Sequence, residues 1–297
     1  MKAPAKTQSL SEFLAPYARR AEADLERWLV EPEAPAELAE AMRYCALGAG
    51  KRLRPALVYV AAAAVGDERR DLVARAAAAV EMVHAYSLVH DDLPAMDDDA
   101  LRRGRPTAHG KFGEAMAILA SDAILTRAFG VLGESVDPRS GRLVGELACG
   151  AGAAGMVTGQ VADMDLCPLP AGMEGFRYIH LHKTAALLRA AARMGAIAAG
   201  GTDDDVRVLD EYARAIGLAF QVVDDVLDVT GQAEDLGKTP GKDAQAGKRT
   251  AVAQLGLEGA RKLAEQLSVE AVASVRRFGA RSEALVTLAV LLGQRTH

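Results

Sequence analysis

The sequence is poor in aromatic residues, and no run in it shows the alternation of apolar and polar residues that marks a half-buried strand. Aromatic residues make up 4% of the 297 residues, whereas half of the chain is hydrophobic and alanine is abundant. Alanine favours helices, and a β-rich core would need more aromatic and β-branched side chains. The composition therefore predicts an all-α chain that is long enough to bury a large core.

Cysteine is also scarce, and no pair of cysteines has the spacing of a zinc or redox site. Cys45, Cys149 and Cys167 are far apart in the sequence, which excludes motifs of the CxxC type. A sparse, odd number of cysteines is typical of reduced thiols in the cytoplasm. The first residues lack the apolar segment of a signal peptide. We therefore expect a cytoplasmic protein.

Neither a nucleic-acid partner nor insertion into a membrane is expected. The formal net charge is −5, whereas nucleic-acid-binding proteins present a basic footprint. The most apolar long stretch, residues 185–200, contains Arg189 and Arg193 and is better interpreted as a buried helix than as a membrane span. The glycine-rich segment 150–159 matches no phosphate-binding fingerprint. We interpret its glycines as points of close helix packing.

Helical periodicity dominates the chain between breaks at proline and glycine. Helices are predicted near residues 10–31, 35–47, 53–66, 69–93, 113–134, 140–163, 173–199, 204–229, 255–277 and 282–293. Their short connections predict one helical domain over residues 1–297. The exception is the segment 231–248, which is rich in Gly, Lys and Asp. It is either an ordinary surface connection or a lid that carries Lys238 and Lys248 to an anionic ligand.

The first of two acidic clusters lies at the end of an apolar helical segment. Asp91 and Asp92 end the predicted helix, and the acidic triplet 97–99 follows soon after Pro94. Carboxylates are disfavoured at the negative end of a helix dipole, and further carboxylates beside them add repulsion. A bound cation would relieve both costs.

The second acidic cluster is a polar stripe on an otherwise apolar helix. Gln221, Asp224, Asp225 and Asp228 occupy positions i, i+3, i+4 and i+7. One acidic patch alone is more often a solvated surface, but acids on a buried helix are costly unless they are paired or bind metal. Oxygen ligands favour Mg²⁺, which takes one or two carboxylates and completes its shell with water and substrate phosphates. The two clusters together predict a diphosphate held between them through metal ions.

Basic residues lie close to these acidic segments. They are Lys51, Arg52 and Arg54 in the segment GKRLRP, Arg102 and Arg103 after the first cluster, and Lys183 followed by Thr184. A lone Lys or Arg is more often a solvated surface residue. Beside acid-bearing helices, such a set indicates phosphate binding, which Arg performs through a planar fork and Lys as a point charge. His84, two helical turns before Asp91, is either a core histidine or a further phosphate contact.

Taken together, these motifs resemble those of the bacterial trans-prenyl diphosphate synthases, in particular the farnesyl diphosphate synthase branch. The matching segments are GKRLRP (50–55), HAYSLVHDDLPAMDDDALRRGRPT (84–107), GMVTGQVADMD (155–165), HKTAALLRA (182–190), FQVVDDVLDVTG (220–231) and LGKTPGKDAQAGKRT (236–250). They cover most of the chain in the family's order. The resemblance implies an all-α bundle of about ten or more helices around a deep apolar cavity, the type I isoprenoid synthase fold. It also implies a homodimer.

The resemblance further implies roles for individual residues. The Mg²⁺ ligands, for about three ions bound with the allylic diphosphate, are Asp91, Asp92, Asp97, Asp224 and Asp228, with Asp225 as a supporting acid. Isopentenyl diphosphate binds Lys51, Arg54, His84 and Arg103, and Gly50 is a further substrate-binding residue. The allylic diphosphate binds Arg102, Lys183, Thr184, Gln221 and Lys238, and Lys248 is a further diphosphate contact. The residues expected to be catalytic are Asp91, Asp97, Arg102, Lys183, Asp224 and Lys238. Gln160 and Asp163 line the cavity, whereas Asp98 and Asp99 are solvated or supporting acids.

The sequence does not decide the length of the product, and it leaves two more distant functions as alternatives. Tyr86 and Ser87 lie five and four residues before Asp91, so Tyr86 is either a floor that limits chain elongation or an ordinary packing aromatic. In the family an aromatic here accompanies fifteen-carbon products, which makes farnesyl diphosphate the expected product and a twenty-carbon product the alternative. A class I terpene cyclase is disfavoured by the basic residues. An inactive partner subunit is disfavoured by the presence of both acidic motifs.

Overall fold

The structure, a computed structural model, describes residues 8–48, 50–66, 70–230 and 249–294. Its elements are α1 (Leu10–Trp28), α2 (Ala36–Ala46), α3 (Leu53–Val65), α4 (Asp71–Asp91), β1 (Leu101–Arg102), β2 (Arg105–Pro106), α5 (Ala108–Phe112), α6 (Glu114–Gly133), α7 (Ser140–Ala151), α8 (Met156–Asp163), α9 (Gly172–His180), a π-helical turn (Leu181–Ala185), α10 (Ala186–Ala199), α11 (Asp203–Thr230), α12 (Ala251–Ser274), a 3₁₀ segment (Val275–Ser282) and α13 (Glu283–Gln294). The all-α prediction is confirmed. The predicted ligands Lys238 and Lys248 lie outside the described residues.

Several predicted helix boundaries are wrong because short interruptions leave the apolar periodicity almost unchanged. The helix predicted over 140–163 is divided into α7 and α8, since Gly152 and Gly155 have non-helical dihedral angles. The helix predicted over 173–199 contains the π-helical turn, which adds one residue to a turn without ending the helix. The antiparallel hairpin of β1 and β2 was not predicted, because strands of two residues are too short to show alternation.

Close helix packing in the core depends on alanine and glycine. Helices α3, α4 and α10 contribute long runs of buried residues, many of them alanine. A Cβ atom on Gly195 of α10 would lie 2.3 Å from the carbonyl oxygen of Val58 in α3, and one on Gly150 of α7 would lie 2.6 Å from the Cβ atom of Ala190 in α10. Residues 185–200 are largely buried, as predicted. The interpretation of the 150–159 glycines as packing points is confirmed at Gly150.

The side chain of Arg52 links helices α1, α2 and α4, and its backbone is in the left-handed conformation. It precedes α3 with a φ of 48° and is buried. Its guanidinium donates hydrogen bonds at 2.7 Å to Glu22 of α1 and to Glu81 of α4, and at 2.8 Å to the carbonyl oxygen of Ala46. The sequence analysis grouped Arg52 with the phosphate-binding residues. The structure instead uses its donors inside the protein.

Two helices, α4 and α6, are long and apolar enough to cross a membrane by length and composition. The apolar window of α4 is 72% buried inside the protein and that of α6 is 44% buried. The core helix of a globular protein passes the same length test as a membrane span, so burial accounts for α4. Helix α6 keeps an exposed apolar face.

Candidate active site

The first acidic motif lies where α4 ends. Asp91 is the last residue of α4 and Asp92 is its C-cap, so both lie at the negative end of the helix dipole. Burial raises the pKa of the Asp91 carboxyl, and the carboxylates of Asp97 and Asp92 raise it further. Lys183 and Arg102 oppose this rise. Additional positive charge at this point would stabilise the ionised form of Asp91.

Arg102 is bound to the buried member of this motif. The Asp92 side chain is 4% exposed, and both of its oxygens accept hydrogen bonds from Nε of Arg102 at 2.8 Å. A second guanidinium nitrogen lies 2.6 Å from Oδ1. This bidentate contact fixes strand β1 to the end of α4. That Asp92 binds magnesium stays a prediction.

The turn of the hairpin brings Arg103 to the loop before α3. Arg103 has a φ of 54° and Gly104 a φ of 74°, which forms the tight turn. A Cβ atom on Gly50 would lie 2.6 Å from a guanidinium nitrogen of Arg103. A side chain at position 50 would therefore displace the Arg103 guanidinium from its present position. The structure thus brings together Gly50 and Arg103, two predicted substrate-binding residues, while Lys51 beside them is exposed.

A cationic cluster forms around His84 of α4. Burial lowers the pKa of His84 well below its usual range, and the charges of Arg54 and Arg103 lower it further. Burial likewise lowers the pKa of Arg54, to about 10, although Glu81 opposes this shift. Nε of Arg54 is buried and has no hydrogen-bond partner within the described residues. Arg103 also lowers the pKa of Arg54. This cluster is short of negative charge, and a bound phosphate group would supply it.

The second acidic motif lies in the C-terminal part of α11. Asp225 is buried and accepts hydrogen bonds from Nε2 of Gln221 at 3.1 Å and from the backbone nitrogen of Ala251 at 2.7 Å. Ala251 is the first residue of α12, so Asp225 holds that helix start against α11. Asp224 and Asp228 are only partly buried. The carboxylates of Asp224 and Asp228 are therefore accessible to a ligand.

The π-helical turn presents Lys183 and Thr184. Nζ of Lys183 donates a hydrogen bond of 2.6 Å to Asp163 of α8, and the Thr184 hydroxyl lies 3.5 Å from Oε1 of Gln221 on α11. A Cβ atom on Gly159 would lie 1.9 Å from the backbone nitrogen of Lys183, so α8 meets the turn backbone to backbone. Turns of this type are frequent at functional sites. The π-helical turn was not predicted, because it leaves the apolar periodicity of the segment almost unchanged.

Tyr86 lies one to two turns before Asp91 on α4 and is buried. Its ring meets the ring of His90 edge to face, with centroids 5.4 Å apart. Burial raises the pKa of the Tyr86 hydroxyl, and the charge of Asp91 adds to the shift. The hydroxyl of Ser87 donates to the carbonyl oxygen of His84 at 2.9 Å. Of the two predicted chain-length residues, Tyr86 supplies the bulk.

The donor set fits Mg²⁺ bound together with a phosphate ligand. Across the described parts of the chain, no three His, Cys, Asp or Glu side chains form a metal site by themselves. The two motifs offer carboxylate oxygens, and Lys183 is near enough to Asp91 to shift its pKa. Mg²⁺ typically binds one or two carboxylates and completes its octahedral shell with water and phosphate oxygens. The carboxylates of the two motifs match this pattern if phosphate oxygens of the substrate complete the coordination shell of Mg²⁺.

Comparison with known proteins agrees with this architecture. A model of the polyprenyl synthetase family matches residues 35–283. Farnesyl diphosphate synthase of Escherichia coli strain K12 is 48% identical over 297 residues, which cover 97% of this chain and 94% of that protein. The chloroplastic geranylgeranyl pyrophosphate synthase 12 of Arabidopsis thaliana is 48% identical over 275 residues, 90% of this chain and 76% of that protein. A solved FPP/GFPP synthase from Zymomonas mobilis has a TM-score of 0.83 at 37% identity, covering 95% of this chain and 98% of that one. This chain therefore belongs to the polyprenyl synthetase family of prenyltransferases.

Proposed function

We propose that this chain condenses isopentenyl diphosphate with dimethylallyl or geranyl diphosphate and that its product is farnesyl diphosphate. The proposal rests on the observation of two separate candidate binding sites for a diphosphate. One is the pair of acidic motifs with Lys183 and Arg102 beside them, and the other is the cationic cluster of Arg54 and Arg103 around the neutral His84. A terpene cyclase binds one diphosphate, so a second diphosphate-binding site is not expected in that class of enzyme.

In this proposal the acidic motifs and their neighbouring cations bind the allylic diphosphate. Its metal ligands are Asp91, Asp92, Asp97, Asp224 and Asp228. Mg²⁺ supplies positive charge to the leaving diphosphate when it is bound. Lys183 and Arg102 add fixed positive charge at the same group, which stabilises the transition state because they are oriented before the reaction begins. Asp163 and Asp92 orient these two cations.

The reaction needs no enzyme nucleophile. The allylic C1–O bond breaks with its electron pair leaving on the diphosphate, and the double bond of isopentenyl diphosphate attacks C1. The new bond leaves the positive charge on C3 of the isopentenyl unit, and loss of a proton from C2 of that unit to the released diphosphate forms the new double bond. Arg54 and Arg103 hold the second diphosphate in place, and His84 with its depressed pKa is neutral and serves as a hydrogen-bonding partner. Exclusion of water from the apolar cavity that the family resemblance implies would protect the cation.

The fifteen-carbon product is proposed on the position of Tyr86. A helix rises about 1.5 Å per residue, which puts Tyr86 roughly 7 Å along α4 from Asp91. In this proposal the product chain grows along α4, and the buried ring of Tyr86 limits its extension. A twenty-carbon product is the second candidate, because relatives named for farnesyl and for geranylgeranyl products match this chain at the same 48% identity.

The proposed function is tested by incubating the protein with Mg²⁺, isopentenyl diphosphate and one allylic primer at a time. Product lengths are measured by mass spectrometry. We expect farnesyl diphosphate from dimethylallyl and geranyl diphosphate, and no extension of farnesyl diphosphate itself. Longer products would retain the chemistry and contradict the product length. An absence of condensation with every primer would contradict the function and favour the cyclase or inactive-subunit alternative.

We also propose that α6 mediates a homodimer, with a second copy of this chain covering its apolar face. Ile118 is 40% exposed and Leu119 is 59% exposed, an unusual exposure for two adjacent large apolar residues. We expect the wild type to sediment as a dimer and Leu119→Glu to sediment as a monomer. Val269→Glu on α12, where Val269 is 63% exposed, is the matched control and should remain dimeric. A monomeric wild type would contradict the proposal.

The cytoplasmic location and the single domain stay predictions.

A further inference from the structure

We propose that Tyr44 is a positioning residue for isopentenyl diphosphate, because it anchors the β1–β2 hairpin that carries Arg103. The inference rests on the proposed function and assigns a role to a side chain outside the two acidic motifs and the cationic cluster. Tyr44 lies on α2 and is partly buried. It acts through the hairpin and does not itself contact the substrate.

The contacts of Tyr44 join three elements. Its hydroxyl donates a hydrogen bond of 2.7 Å to the carbonyl oxygen of Pro106 in β2. The guanidinium carbon of Arg105 lies 4.3 Å from the ring centroid, and Nζ of Lys111 lies 4.2 Å from it. The ring of Phe112 meets it edge to face at 5.3 Å. Two cation–π contacts, an aromatic pair and a hydrogen bond thus hold α2, the hairpin and α5 together.

The same hairpin is packed against the loop before α3 at two points. A Cβ atom on Gly48 would lie 2.7 Å from a guanidinium nitrogen of Arg105, and one on Gly50 would lie 2.6 Å from a guanidinium nitrogen of Arg103. Arg105 therefore contacts both the loop backbone and the Tyr44 ring. A shift of the hairpin away from Tyr44 would displace Arg103 from Gly50, and with it the proposed site for isopentenyl diphosphate.

Arg102, on the same hairpin, has an anchor of its own. The buried Asp92 carboxylate binds it through both oxygens. Loss of the Tyr44 contacts should therefore disturb Arg103 more than Arg102. Since we assign Arg103 to isopentenyl diphosphate and Arg102 to the allylic diphosphate, the predicted effect falls on one substrate.

The test compares Tyr44→Phe and Tyr44→Leu with the wild type by varying each substrate at saturation of the other. Tyr44→Phe loses only the hydroxyl, and its KM for isopentenyl diphosphate should rise about five-fold, the effect of one hydrogen bond. Tyr44→Leu also loses the ring contacts and should show a larger rise. The KM for geranyl diphosphate should change by less than about two-fold in either variant, because Asp92 still holds Arg102.

Tyr212→Phe is the matched control. The Tyr212 hydroxyl donates to the carbonyl oxygen of Leu285 at 2.7 Å in the core, so this variant loses an equivalent bond between α11 and α13, outside the elements that Tyr44 joins. It should lose a similar amount of stability and keep both KM values. An unchanged KM for isopentenyl diphosphate in both Tyr44 variants, or equal rises for both substrates, would overturn the role of Tyr44.

Calorimetric titration with isopentenyl diphosphate alone separates the two possible failures. A wild type that condenses no substrate contradicts the proposed function. Weaker binding of isopentenyl diphosphate by Tyr44→Phe than by the wild type supports the anchoring role even then. Equal binding by the two proteins contradicts that role alone.

Discussion

Asp91→Asn is expected to reduce condensation by about 10²–10³-fold, the order seen when one preorganised electrostatic group is removed from an active site. The same variant should not lose stability in the absence of metal. Burial and neighbouring carboxylates raise the pKa of Asp91, which means that its ionised form is disfavoured in the folded protein. A neutral amide of the same shape removes that cost. Steady-state rates with Mg²⁺ and chemical unfolding in a chelator measure the two effects.

The pH dependence follows from the same raised pKa. At pH values above the folded-state pKa, Asp91 is ionised and lowers the stability of the metal-free wild type relative to Asp91→Asn. As the pH falls from that pKa to the lower pKa of the unfolded chain, Asp91 is protonated and the difference in unfolding free energy decreases to zero. Protonation also removes a proposed ligand, so the Mg²⁺ concentration for half-maximal rate should rise as the pH falls.

Asp98→Asn is the matched control for Asp91→Asn. Asp98 is exposed and has a φ of 51°, a left-handed conformation that Asn also adopts readily. The substitution removes one negative charge from the same acidic segment, and we expect its rate to stay within about two-fold of the wild type, as for most surface changes. Equal losses in the two variants would indicate that net charge, and not the position of Asp91, matters. A fully active Asp91→Asn variant would contradict the ligand assignment.

Tyr86→Ala is expected to change the main product from fifteen to at least twenty carbons. The substitution removes a buried ring from the proposed path of the growing chain. Truncation of a large buried aromatic residue typically costs about 3–5 kcal/mol of stability, so the assay should be run well below the melting temperature of the variant. Product lengths are measured by mass spectrometry with geranyl and farnesyl diphosphate as primers.

Tyr86→Phe separates the ring from the hydroxyl. Phe retains the bulk and the edge-to-face contact with His90, so this variant should keep the fifteen-carbon product. If Tyr86→Ala is folded and still stops at farnesyl diphosphate, another part of the cavity limits chain growth. If Tyr86→Phe also makes longer products, the hydroxyl matters more than the volume.

The sequence by itself determined the class of fold and the location of both acidic motifs. Helical propensity and apolar periodicity are local properties, so they were sufficient to predict an all-α chain and most of its helices. The ends of α4 and α11 were visible as aspartates that interrupt apolar segments. The interpretation of the glycines near residue 150 as packing points is confirmed at Gly150 and Gly159, whereas Gly152 and Gly155 interrupt the helix.

Only the tertiary structure decided which partner each charged side chain has. Spacing along a helix shows which residues share a face, but it does not show what that face meets. Arg52 looked like a phosphate-binding residue, and its buried partner Glu81 is 29 residues away in the sequence. Asp225 caps a helix that begins 26 residues later. The side chain of Tyr44 meets a carbonyl group 62 residues away. Electrostatic and hydrogen-bond energies depend on distances in space, and the folded chain sets those distances.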